Sequence, residues 1–278
     1  MAANTIRFSK MHGLGNDFMV IDTKTQAFEP SPAQVRAWSN RHTGVGFDQL
    51  LLITNSDSAD IDFGYRIFNA DGTEVQQCGN GVRCLARYVK EHGMTNKAII
   101  RVATKTTTMQ LRYQDDKRIE VDMGCPTFEP SSLPFRYPAQ QTGYELELDG
   151  EPIHFGAVSM GNPHIVIPVN DINIAPVEKV GAALTQHPAF PEGVNVGFMQ
   201  IVSRDHIKLR VYERGAGETL ACGSGACAAV TIGQRWELLD NRVTVDLLGG
   251  ELTIAWAGIN EPVYMIGSAE YVYDGEIK

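Results

Sequence analysis

One segment of this 278-residue chain occurs twice. Ile67-Phe-Asn-Ala-Asp-Gly-Thr-Glu-Val-Gln-Gln-Cys78-Gly-Asn-Gly-Val lies over Val211-Tyr-Glu-Arg-Gly-Ala-Gly-Glu-Thr-Leu-Ala-Cys222-Gly-Ser-Gly-Ala at an offset of 144 positions, about half the chain. Each copy runs from an alternating apolar stretch into a loop with Glu four residues before a cysteine (Glu74, Glu218), then Cys-Gly-x-Gly, then a helix-forming run. The match extends outward: Gly15-Asn16 answers Gly161-Asn162, Gly46-Phe47 answers Gly197-Phe198, and Met123-Gly124 answers Ile266-Gly267. A repeat this long predicts two lobes of one ancestral design, related by a pseudo-twofold axis, with equivalent cysteines facing a shared cleft.

Charge and hydropathy remove whole classes of function. With 24 Lys+Arg against 33 Asp+Glu the net charge is −9, and no basic cluster is longer than two, so nucleic acid is not an expected partner. The N-terminus lacks a basic stretch followed by an apolar one, and no apolar run approaches the roughly 18–20 residues of a membrane span. A cytoplasmic protein without a membrane partner is expected. Its five cysteines, an odd number in a reducing compartment, do not form a paired disulfide framework on this reading.

Alternation over 61–67 and 207–211 reads as half-buried strands. Ser31-Pro32 is an N-cap followed by proline at the first helical position, opening a helix to about Arg41. Further helices are expected at about 80–92, stopped by Gly93, at about 176–186, and at about 224–238. Many strands with few helices predict an α+β fold.

Cys78 and Cys222 each stand immediately before a Gly-x-Gly that opens a helix. Helix N-termini offer unpaired N–H groups and the positive end of the dipole, so a thiolate is favoured and a carboxylate can be held. The glycines are expected to let a ligand approach the backbone. Two such turns, symmetrically opposed, supply a base and an acid on opposite faces of one carbon, which fits a racemase or epimerase. Cys84, Cys125 and Cys227 read as small buried packing residues. A zinc site is disfavoured by the spacing of the thiols. A Cys–His hydrolase using His164 leaves the second matched cysteine without a role. No nucleotide motif and no pyridoxal phosphate context is visible, so neither cofactor nor metal is expected.

The motifs Met11-His-Gly-Leu-Gly-Asn-Asp-Phe18, Gly44-Val-Gly-Phe-Asp-Gln49, Phe68-Asn-Ala-Asp-Gly72, Cys78-Gly-Asn-Gly-Val-Arg-Cys84, Met160-Gly-Asn-Pro-His164, Tyr212-Glu-Arg-Gly-Ala-Gly-Glu218 and Ala221-Cys-Gly-Ser-Gly-Ala-Cys227 closely resemble those of the diaminopimelate epimerase family. The resemblance implies two similar α/β lobes, each a mostly antiparallel sheet wrapped around a central helix, with the C-terminal strand returning to the first lobe. On this basis residues 1–122 with 267–278 form the lobe of Cys78, and 123–266 the lobe of Cys222. It also implies interconversion of LL- and meso-diaminopimelate for lysine and peptidoglycan synthesis without a cofactor, in a homodimer. The tail around Tyr273 is a candidate contact.

Carried over by position, the resemblance makes Cys78 and Cys222 the acid–base pair, with His164 and Glu213 supporting the reacting centre. It makes Asn16, Gln49, Asn69, Gly79, Asn80, Asn162, Asn195, Glu213, Arg214, Gly223 and Ser224 substrate-binding positions. A substrate with two ammonium and two carboxylate groups suits neutral amides, one arginine and one glutamate. Glu74 and Glu218 read as structural caps of their loops. The alternatives are a proline- or hydroxyproline-type epimerase of the same fold and a non-catalytic metal-binding module held by the cysteines.

Overall fold

The computed structural model describes residues 5–56, 58–75 and 78–278. Met1–Asn4 at the N-terminus and Gln76–Gln77 of the first repeat copy lie outside them. The chain divides into two compact units, Met1–Val121 with Gly267–Lys278, and Asp122–Ile266.

The N-terminal lobe contains β1 (Ile6–Gly13), β2 (Asn16–Asp22), α1 (Pro32–Ser39), β3 (Gln49–Thr54), β4 (Phe63–Asn69), β5 (Glu74–Val75), α2 (Gly79–Glu91), β6 (Ile99–Ala103), β7 (Thr108–Tyr113) and β8 (Ile119–Asp122). The C-terminal lobe contains β9 (Tyr144–Leu148), β10 (Glu151–Ser159), β11 (Pro163–Pro168), α3 (Val177–Thr185), β12 (Asn195–Ser203), β13 (His206–Glu213), β14 (Gly217–Thr219), α4 (Gly223–Arg235), β15 (Arg242–Leu247), β16 (Gly250–Trp256) and β17 (Val263–Gly267). The last strand, β18 (Glu270–Ile277), pairs antiparallel with β1 and completes the first lobe.

The two sheets have one topology. The first runs β18–β1–β2–β3–β4–β6–β7–β8 and the second β9–β10–β11–β12–β13–β15–β16–β17. Each is antiparallel except at two matching places, β2/β3 and β4/β6 in the first and β11/β12 and β13/β15 in the second. The fold is the sheet-dominated α+β arrangement expected.

One helix per lobe is buried nearly all round, as a helix enclosed by its sheet must be. In α4 every residue from Gly225 to Gly233 is buried, against β10, β11, β12, β13 and β16. In α2 the buried set runs from Asn80 to Ala86 with Tyr88 and Val89. The other helix covers the outer face. Val35 of α1 joins Leu50, Leu52 and Phe68 in one apolar cluster, and Val177 and Leu184 of α3 join Phe155, Val196 and Phe198 in its counterpart.

Local chemistry explains most boundaries. Ser31 and Gln34 form a reciprocal capping box at α1, and Pro32 follows the cap. The helix ends at Ser39, short of Arg41, because Asn40 Oδ1 accepts from the N–H groups of His42 (2.9 Å) and Thr43 (3.0 Å) and starts a turn. Gly93, at φ +64°, stops α2, with the Met94 N–H returning to Val89 O (2.9 Å). The equivalent stop of α4 is Glu237 at φ +61°, with the Leu238 N–H on Gly233 O (3.0 Å). That helix therefore ends before 238. A glutamate in the left-handed region gives no glycine signal to read.

Three other expectations are corrected. Strand β13 alternates as predicted, but β4 is buried on both faces, because Phe68 packs into the α1 cluster while Phe63, Tyr65 and Ile67 fill the opposite side. Gly46-Phe47 precedes β3 whereas Gly197-Phe198 lies within β12, so the two are not equivalent; strand register instead matches Gln49 with Asn195. Cys84 and Cys227 are buried packing residues, but Cys125 is exposed after the Gly124 turn, its Sγ donating to Asn260 O (3.6 Å).

Candidate active site

Both repeated cysteines are N-cap residues, of α2 and of α4, each in extended backbone. Their loops are braced alike. Arg66 forks onto Glu74 through Nε (3.0 Å) and Nη2 (3.1 Å), and Arg210 forks onto Glu218 through Nε (2.6 Å) and Nη2 (2.7 Å). Each bidentate pair ties the strand before the loop to the loop itself. This structural role is the one expected of the two glutamates.

The last glycine of each turn serves packing. A Cβ at Gly81 would meet the Tyr65 hydroxyl at 2.7 Å, and one at Gly225 would meet Val211 at 3.0 Å and the Cys222 sulfur at 3.2 Å. Tyr65 is buried, and its hydroxyl donates to Cys78 O (3.2 Å). The space expected for a ligand at these two glycines is thus filled by the lobe's own side chains.

In the N-terminal lobe Cys78 is half-buried, and its Sγ donates to Asn16 Oδ1 (3.6 Å). The same oxygen accepts from Asn80 Nδ2 (3.3 Å), and Asn16 Nδ2 donates to Asp48 Oδ2 (3.1 Å). Gln49 Nε2 donates to Asn69 Oδ1 (2.9 Å), while Gln49 Oε1 is buried with no hydrogen-bond partner. Gly79 is the first residue of α2. Behind them lies a charge network: Asp17 takes Arg41 (2.8 Å) and the buried Lys10 (2.6 Å), and Arg41 also reaches Asp48 (2.7 Å). Burial pushes the Asp17 carboxyl up, but the Arg41 and Lys10 bonds outweigh it and hold its pKa at about 2.

The C-terminal lobe gathers a different set. Cys222 is buried, with Ser224 Oγ at 3.7 Å from its sulfur. His164 Nε2 lies 3.0 Å from Ser224 Oγ and 3.1 Å from Asn162 Oδ1, and Asn162 Nδ2 donates to Ser224 Oγ (3.4 Å). Asn195 Nδ2 donates to Pro163 O (2.9 Å) while its Oδ1 takes the Arg214 N–H (2.9 Å). Glu213 Oε1 accepts from Thr219 Oγ1 (2.5 Å). Arg214 is exposed, one guanidinium nitrogen donating to Glu192 O (2.8 Å). Gly223 opens α4.

Electrostatics overturn one expectation. Burial pushes the Cys222 thiol well above its ordinary pKa, and the neighbouring Glu213 carboxylate pushes it further; the Gly225 N–H and the Ser224 hydroxyl oppose this without prevailing. The helix terminus does not make Cys222 a ready thiolate, because desolvation of a charge outweighs a partial dipole. His164 is held neutral, its pKa lowered to about 3 by burial and by the Arg214 charge. Its ring nitrogen engages Ser224 and Asn162, not the thiol, which is not the hydrogen-bonded couple of a Cys–His hydrolase.

Strand register puts the site residues in equivalent places. Phe18 and Gln49 oppose each other across β2/β3 as His164 and Asn195 do across β11/β12, and Gln49 opposes Asn69. Glu213 and Arg214 stand 144 positions beyond Asn69 and Ala70, as Cys222 does beyond Cys78. One amide and one alanine of the first lobe are thus replaced by an acid and a base in the second. The motifs and this arrangement agree with a family model described as diaminopimelate epimerase, which matches residues 8–129 and 156–272. The chain belongs to the diaminopimelate epimerase family. The unmatched 130–155 holds a short 3-10 turn, β9 and the start of β10.

Solved structures show the same fold at low identity. A phenazine biosynthesis protein of the PhzF family from Bacillus anthracis is 16% identical, with 99% of each chain covered and a TM-score of 0.72. A hydroxyproline epimerase from Agrobacterium vitis, with bound trans-4-hydroxy-L-proline, is 13% identical over 99% of this chain and 93% of that one, TM-score 0.71. A probable proline racemase from Agrobacterium radiobacter is 15% identical over 98% and 93%, TM-score 0.67. The family is one of epimerases, and two of these neighbours are described as an epimerase and a probable racemase.

Hollows of about 460 Å³ beside Tyr144 and Trp236 and about 750 Å³ beside Tyr88 and Asp274 contain none of the expected site residues. Among the described residues, no group of three or more His, Cys, Asp or Glu side chains could hold a metal, and no helix is long and apolar enough to cross a membrane. Sequence reasoning missed Tyr65, Asp17, Arg41 and Asp48 as supports of the site. Asp17 and Asp48 both fall inside family motifs, whereas Arg41 and Tyr65 carry no local signal.

Proposed function

We propose that this protein is a diaminopimelate epimerase that converts LL- to meso-diaminopimelate with two cysteines and no cofactor, supplying lysine and peptidoglycan synthesis. The observation that carries the reading is the asymmetry at two adjacent repeat positions, Glu213-Arg214 against Asn69-Ala70. A proline-type substrate has one zwitterionic centre, whereas diaminopimelate has a second one to be gripped. Glu213 suits an ammonium and the exposed Arg214 a carboxylate. Gln49 Oε1, a buried acceptor with no protein partner, suits an N–H of the substrate.

In this mechanism one thiolate removes the Cα proton and the other cysteine, as a thiol, returns a proton to the opposite face. Burial and Glu213 keep the proton on Cys222, so in one direction Cys222 is the donor and Cys78 the base; the reverse reaction exchanges the roles. The N–H groups at the starts of α2 and α4, from Gly79-Asn80 and Gly223-Ser224, stabilise the substrate carboxylate as carbanion charge develops. Neutral His164 orders Ser224 and Asn162 beside Cys222. We also propose a homodimer through β18, an edge strand whose Val272 and Tyr273 are exposed and whose outer hydrogen-bonding edge can receive a second copy.

The test is deuterium incorporation at Cα in D2O, with chelator-treated protein, no added pyridoxal phosphate, and LL-diaminopimelate, L-proline or trans-4-hydroxy-L-proline as substrate. Exchange confined to diaminopimelate supports the reading. Exchange confined to the proline substrates, or activity that needs zinc, overturns it.

A further inference from the structure

Both ends of the Asn16 amide are fixed within the N-terminal lobe. Its Oδ1 takes the Cys78 S–H and the Asn80 N–H, and its Nδ2 donates to Asp48. Asp48, as a carboxylate, can only accept; it also takes the Asp17 N–H (3.1 Å) and an Arg41 N–H. On the other side the buried Arg83 donates Nη2 to Asn80 Oδ1 (2.9 Å), which turns the Asn80 amino group toward Asn16. An inverted Asn16 amide would set its oxygen against Asp48 and its amino group against that of Asn80.

We propose that Asp48 is a positioning residue: through Asn16 it holds a hydrogen-bond acceptor, and not a donor, against the Cys78 thiol. A bond that serves the neutral form keeps the proton on sulfur, and the thiolate is the reactive species. The C-terminal lobe is arranged differently: the Ser224 hydroxyl beside Cys222 can turn to donate or accept, and the Glu213 carboxylate acts on the thiol with no amide between them. The inference rests on the reading of Cys78 as an acid–base group. It gives Asp48, outside the substrate-binding set, a part in setting when that base forms.

In Asp48→Asn the anionic anchor is gone, and turning the Asn16 amide is opposed only by the Asn80 amino group in the 3.3 Å contact. A charge-assisted N–H bond to the thiolate outweighs that contact. The experiment is iodoacetamide alkylation of Cys78 against pH, read by peptide mass spectrometry in the full-length protein. Asp48→Asn is expected to speed Cys78 alkylation about fivefold below its midpoint, the size of one hydrogen bond. Asp48→Glu should restore the native rate. In an Asn16→Ala background Asp48→Asn should change the rate less than about twofold, as a double-mutant cycle requires of a residue acting through another. Cys222 in the same digest is the internal control. An unchanged rate in Asp48→Asn, an equal acceleration without Asn16, or parallel acceleration of Cys222 overturns the proposal. No substrate is used, so this outcome is separate from that of the isotope exchange.

Discussion

The two cysteine turns share a backbone and differ in how charge reaches the sulfur. In the N-terminal lobe the ions Lys10, Asp17, Arg41 and Asp48 stand one amide away from Cys78, and Asn16 is the intermediary. In the C-terminal lobe the carboxylate of Glu213 acts on the Cys222 thiol directly, and Asn162, the counterpart of Asn16, stands against a histidine kept neutral by burial and by the Arg214 charge. A repeat therefore preserves the device, a thiol at a helix start, while substitutions at equivalent register positions divide the labour between the copies. Two identical sites would give two thiols of one acidity; these two have different partners and can hold different protonation states.

Removing either thiol breaks the comparison most severely. Cys78→Ser and Cys222→Ser should each lower epimerisation by about 10²–10⁴, the usual contribution of a positioned acid or base, measured as the rate of optical change. If one variant keeps a third or more of the native rate, the two turns do not act as a pair.

The next largest effect concerns His164, whose place in the first lobe is taken by Phe18. The folded ring titrates at about 3 and the unfolded one at 6.5, so between these values the unfolded chain binds a proton that the folded one lacks. Stability should drop by about 1.4 kcal/mol for each unit by which the pH is lowered across that window. Phe18 contributes no such slope. Urea unfolding of wild type and His164→Gln at several pH values from 7 to 4 should show the slope reduced by one proton in the variant; identical slopes would place the ring in water.

Asp17 gives the N-terminal lobe its own pH signature. Its carboxyl lies at about 2 against an ordinary 3.8, so its contribution is present above 3.8 and is lost as pH falls through about 2. Asp17→Asn should cost ~2 kcal/mol at pH 7, with the difference closing in acid, as measured by urea unfolding. Equal stability at pH 7 would mean that the Lys10–Asp17–Arg41 network does not hold the lobe.

The finest test exchanges the substituents. Glu213→Gln should speed alkylation of Cys222 several-fold by removing the carboxylate that disfavours its thiolate, and Asn69→Asp should slow that of Cys78 by adding one. If neither rate moves, the asymmetry at this repeat position is not electrostatic.

Much of this was legible in the chain. The Ser31-Pro32 cap, the Gly93 stop, the alternation of 207–211 and the starts of α2 and α4 are local matters, decided by residues within one turn of each other. The Glu237 stop was not, because tertiary packing imposes a left-handed conformation on a residue that does not favour it. Nor was the double burial of β4, which depends on α1 covering the far face. Of the site, the cysteines, the amides and the Glu213-Arg214 pair could be placed from motifs. The acidity of Cys222 could not, since the dipole that lowers it is written in the local sequence while the burial that raises it is not.

By itself the sequence determined the duplicated topology and the seating of two thiols at equivalent helix starts, because strand alternation and helix initiation are short-range. Only the tertiary structure decided that Cys222 keeps its proton, that His164 stays neutral, and that the Asn16 amide turns its oxygen to Cys78. Each of these depends on how much water is excluded and on which charge arrives from a distant part of the chain, and neither quantity is a property of neighbours in sequence.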